Sequence, residues 1–466
     1  MRSEQKVLWI HGLAGSGKST LTTTIANIFR DFGQLGAFLF FNRDVVERSD
    51  PTTVIRTLAH QLSVSDPRIG AAVRTIIERN PNMLMSSLPR QFHKFILEPI
   101  SQSQPLTSTI VIVIDSFDEC GTTEERETLL GVLAQDFSDL PITVRTIITS
   151  RPESDICNAF ESRHHIITYE LDITLPSNSN DILLYFRHRM SRLCHKNKNL
   201  HLGADWPGEE ALLKLVQRAC GLFVWASTAS RFIDGYAPKN RLAMILQRVG
   251  ASDAENSLDS LYITALESSG LWTDDDFVQD FRDILGTVLV ARQPLSSAAI
   301  DALLQRPEST PSSHTISLLA SLLQHTRTVR VLHPSFADFL TTKNRCEREI
   351  WYFEPPTCNR NLVIHCLHRM DAVLQQNMCN MSLSVDLNTE TLPEDISYSC
   401  LFWIDHICAI ERDVTPIVNH MRYFLFRHLL HWFEAMSILQ RSRDSISLLD
   451  RLLSWIAVSC HGACLY

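Results

Sequence analysis

Nine residues near the start of the chain, Gly12 to Thr20 (GLAGSGKST), bring glycine, lysine and hydroxyl side chains together at a spacing that suits a bound phosphate. They fit the pattern G-x-x-x-x-G-K-[ST], with Gly12, Gly17, Lys18 and Ser19 at the demanded positions. Glycines there, Gly15 included, let main-chain N–H groups approach phosphate oxygens without a Cβ in the way. Lys18 would reach the β- and γ-phosphates and the Ser19 hydroxyl would ligate Mg²⁺, with Ser16 and Thr20 completing the cradle. The alternative is a glycine turn that merely links two elements. The flanks favour the site: the apolar run VLWI precedes it, and a helical stretch follows, aiming its positive dipole end at the same anion.

A second group of residues narrows the chemistry. TIVIVIDSFDE ends a buried apolar run on Asp115, with Asp118 and Glu119 just beyond. Asp115 would hold Mg²⁺ opposite Ser19, and Asp118 or Glu119 would orient or deprotonate an attacking water. Three acids so close repel one another unless a cation sits between them. Their alternative reading is an acidic loop end facing solvent. TIITSRPE then places Thr149, Ser150 and Arg151 at the end of the next apolar run, where Arg151 would contact the γ-phosphate. The alternative for Arg151 is a surface arginine in a turn set by Pro152. A guanine-reading N-K-x-D or T-K-x-D string is absent, the nearest being NKNL (197–200) and TKNR (342–345). ATP/ADP is therefore expected over GTP.

These residues need a scaffold, and the apolar patterning supplies one. Runs at 6–11, 36–43, 109–116, 143–150 and 164–172 read as five strands alternating with helices, the pattern of a parallel α/β sheet. Near-continuous apolar strands predict a sheet covered on both faces. Leu21, Ile25, Ile28 and Phe29 form a helical stripe, and Asp50-Pro51 caps another helix with Val54, Leu58 and Leu62 on one face. From about 175 the pattern turns helical, with period-3.6 faces at 180–190 and 209–233. A polar stretch at 251–258 marks a boundary. Residues 279–342 hold three helical runs and one short strand, VRVLH (329–333), which suits a winged helix. The expected fold class is α/β then α: a five-stranded P-loop NTPase sheet followed by helical lid, winged-helix and C-terminal helical regions. The expected domains are 1–175, 176–255, 256–345 and 346–466.

Bulk properties exclude several classes. The 466 residues exceed one ordinary domain, and 45% hydrophobic with 20% charged residues is a globular composition. A net charge of −9 argues against a nucleic-acid binder, and no apolar run approaches the roughly 18 residues a membrane span needs. The twelve cysteines are scattered without a C-x-x-C pair, which reads as free thiols in a reducing cytoplasm. His365, Cys366 and His368 lie in an apolar helical run, and Cys460 and Cys464 lack partner ligands nearby. No metal beyond Mg²⁺ is expected.

The motifs in order resemble the NACHT class of signal-transducing ATPases, STAND-class P-loop NTPases related to Nod-like receptors, in their fungal form. The resemblance rests on GLAGSGKST, FFNRD (40–44), DPTTVIRTLAHQLS (50–63), IDSFDEC (114–120), ITSRPE (148–153), GLFVWASTASRFI (221–233), LVARQPLSSAAIDALL (289–304) and VLHPSFADFL (331–340). It covers residues 5 to 345, and HLLHWFEAMSIL (428–439) is also similar to fungal members. The resemblance implies a nucleotide switch used in innate immunity or heterokaryon incompatibility. ADP would hold a closed state, and exchange for ATP would open it and allow homo-oligomer assembly, with slow hydrolysis as the reset. It also implies that His333 contacts the ADP β-phosphate; the alternative is a histidine capping the helix that starts near Pro334. Effector and sensor partners leave no trace. The usual effector module, the helix and strand upstream of the loop, and the trailing repeats are not in the sequence. That leaves a stand-alone core, or a truncated, inactive receptor core, as readings, beside a scaffold that holds nucleotide without cycling.

Overall fold

The computed structural model describes residues 5–43, 45, 48–104, 108–161, 163–197, 199, 202–203, 205–248, 253–270, 272–346, 348–377, 392–410 and 414–459. Asp44 of FFNRD, and Cys460 and Cys464, lie outside the described residues. By internal contacts the chain divides into two units, Met1–Ser227 with Ser252–Ala254, and Thr228–Ala251 with Glu255–Tyr466. The division falls within the helix Phe223–Ile233.

All five expected strands form in the first unit: β1 (Val7–His11), β2 (Leu35–Phe40), β3 (Ile110–Asp115), β4 (Val144–Ser150) and β5 (Ile166–Glu170). They make one sheet in the order β2-β3-β4-β1-β5, with every pair parallel. Parallel neighbours need crossovers, and helices supply them. The apolar runs are continuous because both faces are covered, and every residue of β3 is buried. Its even-numbered residues, Ile112 and Ile114, join Val7, Trp9 and Ile148 in a large core. Val111 and Val113 face the opposite way, against Ala26, Leu21, Ile25 and Phe29 of helix α1 (Lys18–Asp31). Full burial of each such side chain contributes about 1.5–3 kcal/mol, so β3 is the strand this sheet can least lose.

Strand order decides where the chemistry falls. β4 lies between β1 and β3, and the registers Ile10 to Thr149 and Ile114 to Ile148 bring three carboxyl ends level. The loop after β1, the acids after β3 and Arg151 after β4 therefore share one edge of the sheet. Asp50 caps as expected, its carboxylate accepting from Thr52 N at 2.8 Å, with a single 3-10 turn before helix α2 (Val54–Ser65). The apolar stretch 209–233 is two helices, Glu209–Ala219 and Phe223–Ile233. Cys220 (φ 45°) and Gly221 (φ 79°) break it; a Cβ on Gly221 would sit 2.1 Å from Ile173 O, so only glycine permits that turn.

Among its described residues the second unit is helical apart from one hairpin. After the helices Asp275–Val290, Ser297–Leu303 and Ser312–Leu318, β6 (Leu323–His325) pairs antiparallel with β7 (Val329–Val331). Leu295 bridges Val329 as a third extended segment. The sequence reading had only the second hairpin strand, two residues longer. His333 instead opens the helix Pro334–Thr341. Trp272, Phe281 and Trp351 pack edge to face in this unit's core. A directed chain runs through its C-terminal helices: Arg292 N donates to Tyr398 Oη (3.0 Å), which pairs with His406 Nε2 (2.8 Å), while His406 Nδ1 meets Asn359 Oδ1 (2.7 Å). Burial pushes the His406 pKa down to about 3, so the imidazole is neutral there. Among the described residues every cysteine is a free thiol, and no helix is long and apolar enough to cross a membrane.

Candidate phosphate-binding site

The loop after β1 has the backbone that its glycines allow. Gly15 (φ 78°) and Gly17 (φ 102°) are left-handed, a region that costs other residues roughly 1–2 kcal/mol. Gly17 is the N-cap of α1 and no side chain caps that helix end, an arrangement suited to receiving an anion at its first-turn N–H groups. The buried Ser16 hydroxyl has no hydrogen-bond partner, an orphan inside the loop. Ser19 lies in the first turn, half-buried, and Thr20 is exposed there.

Lys18 is only 9% exposed and folds onto its own loop, donating to Gly12 O at 2.7 Å and Leu13 O at 2.8 Å. Burial lowers its pKa from 10.5 to about 8; Asp118, Asp115 and Glu119 work against that shift and Arg151 adds to it. A buried ammonium held by two carbonyls is a cation awaiting a stronger acceptor.

Across the sheet edge, Asp115 is fully buried and its Oδ1 accepts from two hydroxyls, Thr22 at 2.8 Å and Thr149 at 2.5 Å. Ser116 follows in the left-handed region (φ 57°), its N–H donating to Thr149 Oγ1 at 3.1 Å. That turn ends β3 and folds Phe117–Glu119 into one 3-10 turn. Ser116 Oγ lies 3.3 Å from Ser19 Oγ and 3.5 Å from Asp115 Oδ2. Serine hydroxyls and a carboxylate oxygen thus gather at one point, a hard-oxygen set suited to Mg²⁺. Within this unit Ser19 and Asp115 approach each other through Ser116 Oγ.

Asp118 and Arg151, expected to act separately, are paired. Asp118 Oδ1 accepts from Arg151 N at 3.0 Å, and Oδ2 meets Arg151 Nε at 3.3 Å. Glu119 turns to the side, where Oε2 accepts from Arg43 N at 3.2 Å. Thr149 and Ser150 are both inward: Ser150 Oγ accepts from Trp9 Nε1 at 2.9 Å.

Four further contributors, Thr22, Arg126, Val224 and Asn178, were invisible in the motif spacing. Thr22 and Thr149 hold Asp115 as described. Arg126, 2% exposed, donates to Asp118 O at 3.0 Å and grips Asp155 and Glu153. Val224 N donates to Gly15 O at 3.1 Å, and a Cβ on Gly15 would fall 2.1 Å from Val224 Cγ1. Asn178 Nδ2 ties Ile173 O (2.9 Å) to Gly221 O (2.7 Å), fixing the turn that brings Val224 there.

His333 belongs to the second unit and caps the helix Pro334–Thr341. Its Nδ1 accepts from Ser335 N at 3.1 Å and lies 2.7 Å from Ser335 Oγ, which in turn meets Tyr262 Oη at 2.7 Å. The accepting Nδ1 places the ring proton on Nε2.

A parallel sheet with a phosphate loop after β1 and an acid ending β3 defines a P-loop protein. The family model "Nephrocystin 3, N-terminal" matches residues 1–151. The vegetative incompatibility protein HET-E-1 of Podospora anserina is 24% identical over 492 residues, covering 98% of this chain and 35% of that protein. The chain thus spans about a third of that relative's length. A STAND protein with a tetratricopeptide repeat sensor from Pyrococcus horikoshii aligns with a TM-score of 0.44 at 13% identity, over 99% of this chain and 57% of that one. CDC6P from Pyrobaculum aerophilum aligns at 0.29 and 12% identity, over 70% and 83%. Within that P-loop class, the chain is similar over residues 1–151 to the nephrocystin 3 N-terminal family and along most of its length to a fungal vegetative incompatibility protein.

Proposed function

We propose that this chain is an ATP/ADP-binding NACHT-type signalling NTPase that works as a nucleotide-dependent switch. The observation that carries the reading is Lys18, buried in a loop with two left-handed glycines and donating to that loop's carbonyls, Gly12 O and Leu13 O. Phosphate oxygens would replace Gly12 O and Leu13 O as its acceptors, and the α1 N-terminus would receive the same anion. Ser19 and Asp115 would hold Mg²⁺, which neutralises charge on the β- and γ-phosphates.

Hydrolysis in this reading is water attack on the γ-phosphorus. Asp118 or Glu119 accepts the water proton, and the bond from phosphorus to the β–γ bridging oxygen breaks, leaving ADP and phosphate. In the present geometry Asp118 is committed to Arg151. A γ-phosphate offers Arg151 a stronger anion, and its shift frees the Asp118 carboxylate for water. Turnover is slow because that exchange precedes it.

His333, with its proton on Nε2, would donate to the ADP β-phosphate in the closed state. The order helix, bridge segment, helix, helix and hairpin over 275–331 supports reading 256–345 as a winged helix, with 176–255 as lid and 346–466 as a helical extension. ATP-loaded copies would assemble as homo-oligomers in the cytoplasm, with no nucleic acid involved.

A scaffold that holds nucleotide without cycling is the other reading; the intact Asp115, Asp118 and Glu119 set disfavours it. Single-turnover incubation with Mg²⁺ and ATP decides. Release of ADP above the buffer rate supports the switch, and bound ATP that stays intact supports the scaffold.

A further inference from the structure

Arg126 is placed where it controls the geometry of the acid and the arginine without touching either carboxylate-guanidinium face. It sits on the helix Thr123–Ala134, in the first unit, with a side chain 2% exposed. Its Nη1 donates to the main-chain carbonyl of Asp118 at 3.0 Å. Its Nε and Nη2 fork onto Asp155, at 2.8 and 3.1 Å, and Nη2 also reaches Glu153. Burial is the largest single influence and works against its charge, but the hydrogen bonds it donates to Asp155 and Glu153, together with the charges of both carboxylates, hold its pKa above the ordinary value.

These partners are the two ends of one pair. Asp118 lies in the 3-10 turn after β3, and Glu153 and Asp155 follow Arg151 in the segment after β4. Asp118 and Arg151 are joined to each other by the contacts at 3.0 and 3.3 Å. Arg126 therefore closes a ring: it fixes the backbone of the acid on one side and the segment carrying the arginine on the other. A planar fork with five fixed donors can make all these bonds at once, whereas an ammonium cannot.

We propose that Arg126 is a positioning residue for hydrolysis, keeping Asp118 aimed while Arg151 exchanges the Asp118 carboxylate for the γ-phosphate. This rests on the nucleotide reading above. Without Arg126 the phosphate loop, with Lys18, is untouched, so binding persists; the acid loses its fixed aim, so chemistry slows.

The test compares single-turnover ATP hydrolysis, KM, ADP affinity and thermal unfolding in wild type, Arg126→Lys, Glu153→Gln and Lys18→Ala, all in the full chain. Arg126→Lys keeps the charge and loses the fork. Its kcat is expected to fall about 10–100-fold while KM and the ADP Kd stay within about threefold. Glu153→Gln, with a side chain 39% exposed, removes one partner at little risk to folding, and its kcat should fall less than in Arg126→Lys. If Arg126→Lys does not fold, a kcat loss in Glu153→Gln at unchanged KM still supports the role, and no loss overturns it. Unchanged kcat in Arg126→Lys overturns it, as does a parallel loss of kcat, ADP affinity and melting temperature, which marks structure alone. Lys18→Ala separates the two claims: if that variant still binds nucleotide, the nucleotide reading fails first.

Discussion

The buried state of Lys18 has a cost that pH exposes. Its pKa falls from an ordinary 10.5 to about 8, with burial as the largest cause. Between those values the unfolded chain carries the proton and the folded one does not, so stability of the nucleotide-free first unit rises with pH there. Below pH 8 the penalty is fully present. At 1.36 kcal/mol per pH unit the whole window is worth about 3 kcal/mol. Other groups titrate over the same range, so the comparison is wild type against Lys18→Met, in which the lysine contribution is gone and the rest remain. Unfolding of the two proteins, followed by hydrogen exchange at β1 and β3 at each pH, gives the difference directly, since intrinsic exchange cancels. Wild type is expected to gain about 3 kcal/mol on the variant between pH 8 and 10.5. Parallel curves, or a gain that lies wholly below pH 8, would refute the burial argument.

Other outcomes follow from the same geometry. A bound phosphate favours charged Lys18, so ATP affinity in titration calorimetry should weaken as pH rises above about 8 and stay flat from 6 to 7.5. Gly15→Ala puts a methyl on Val224 in a left-handed backbone, and it should lose about 1–3 kcal/mol of thermal stability along with ADP affinity. Thr149→Val strips one donor from fully buried Asp115 and one acceptor from Ser116 N; about 1–3 kcal/mol of stability should go, with a higher Mg²⁺ requirement in turnover assays. His406→Phe breaks the Tyr398–His406–Asn359 chain and should lower the unfolding temperature of the second unit while leaving ADP affinity unchanged.

The five strands were legible because sheet burial on both faces leaves no room for polar residues, and a run such as IVIVID shows that in one glance. The loop was legible because phosphate chemistry fixes residue types at fixed spacing. The Asp118–Arg151 pair was not, because it joins residues 33 apart through strand order, which no local pattern encodes. Arg126 was hidden for a different reason: on a helix, an arginine among Glu124, Glu125 and Glu127 reads as part of a solvated face. Strand β6 escaped since three residues, LQH, following a leucine-rich helix give no period to count. The break at Cys220-Gly221 needed the φ values, and with it came the contact of Val224 on Gly15. For His333 both readings drawn from sequence name the same residue; the capping bond to Ser335 is present, and that bond itself prepares Nε2 as a donor.

Lys18 carries the central claim, and calorimetric titration of ATP and ADP into wild type and Lys18→Ala tests it most directly. Two charge-assisted bonds to phosphate account for about 100-fold or more in affinity. The account predicts binding of both nucleotides by wild type in Mg²⁺ and a loss of at least about that size in Lys18→Ala. Equal affinity in the two proteins would contradict it.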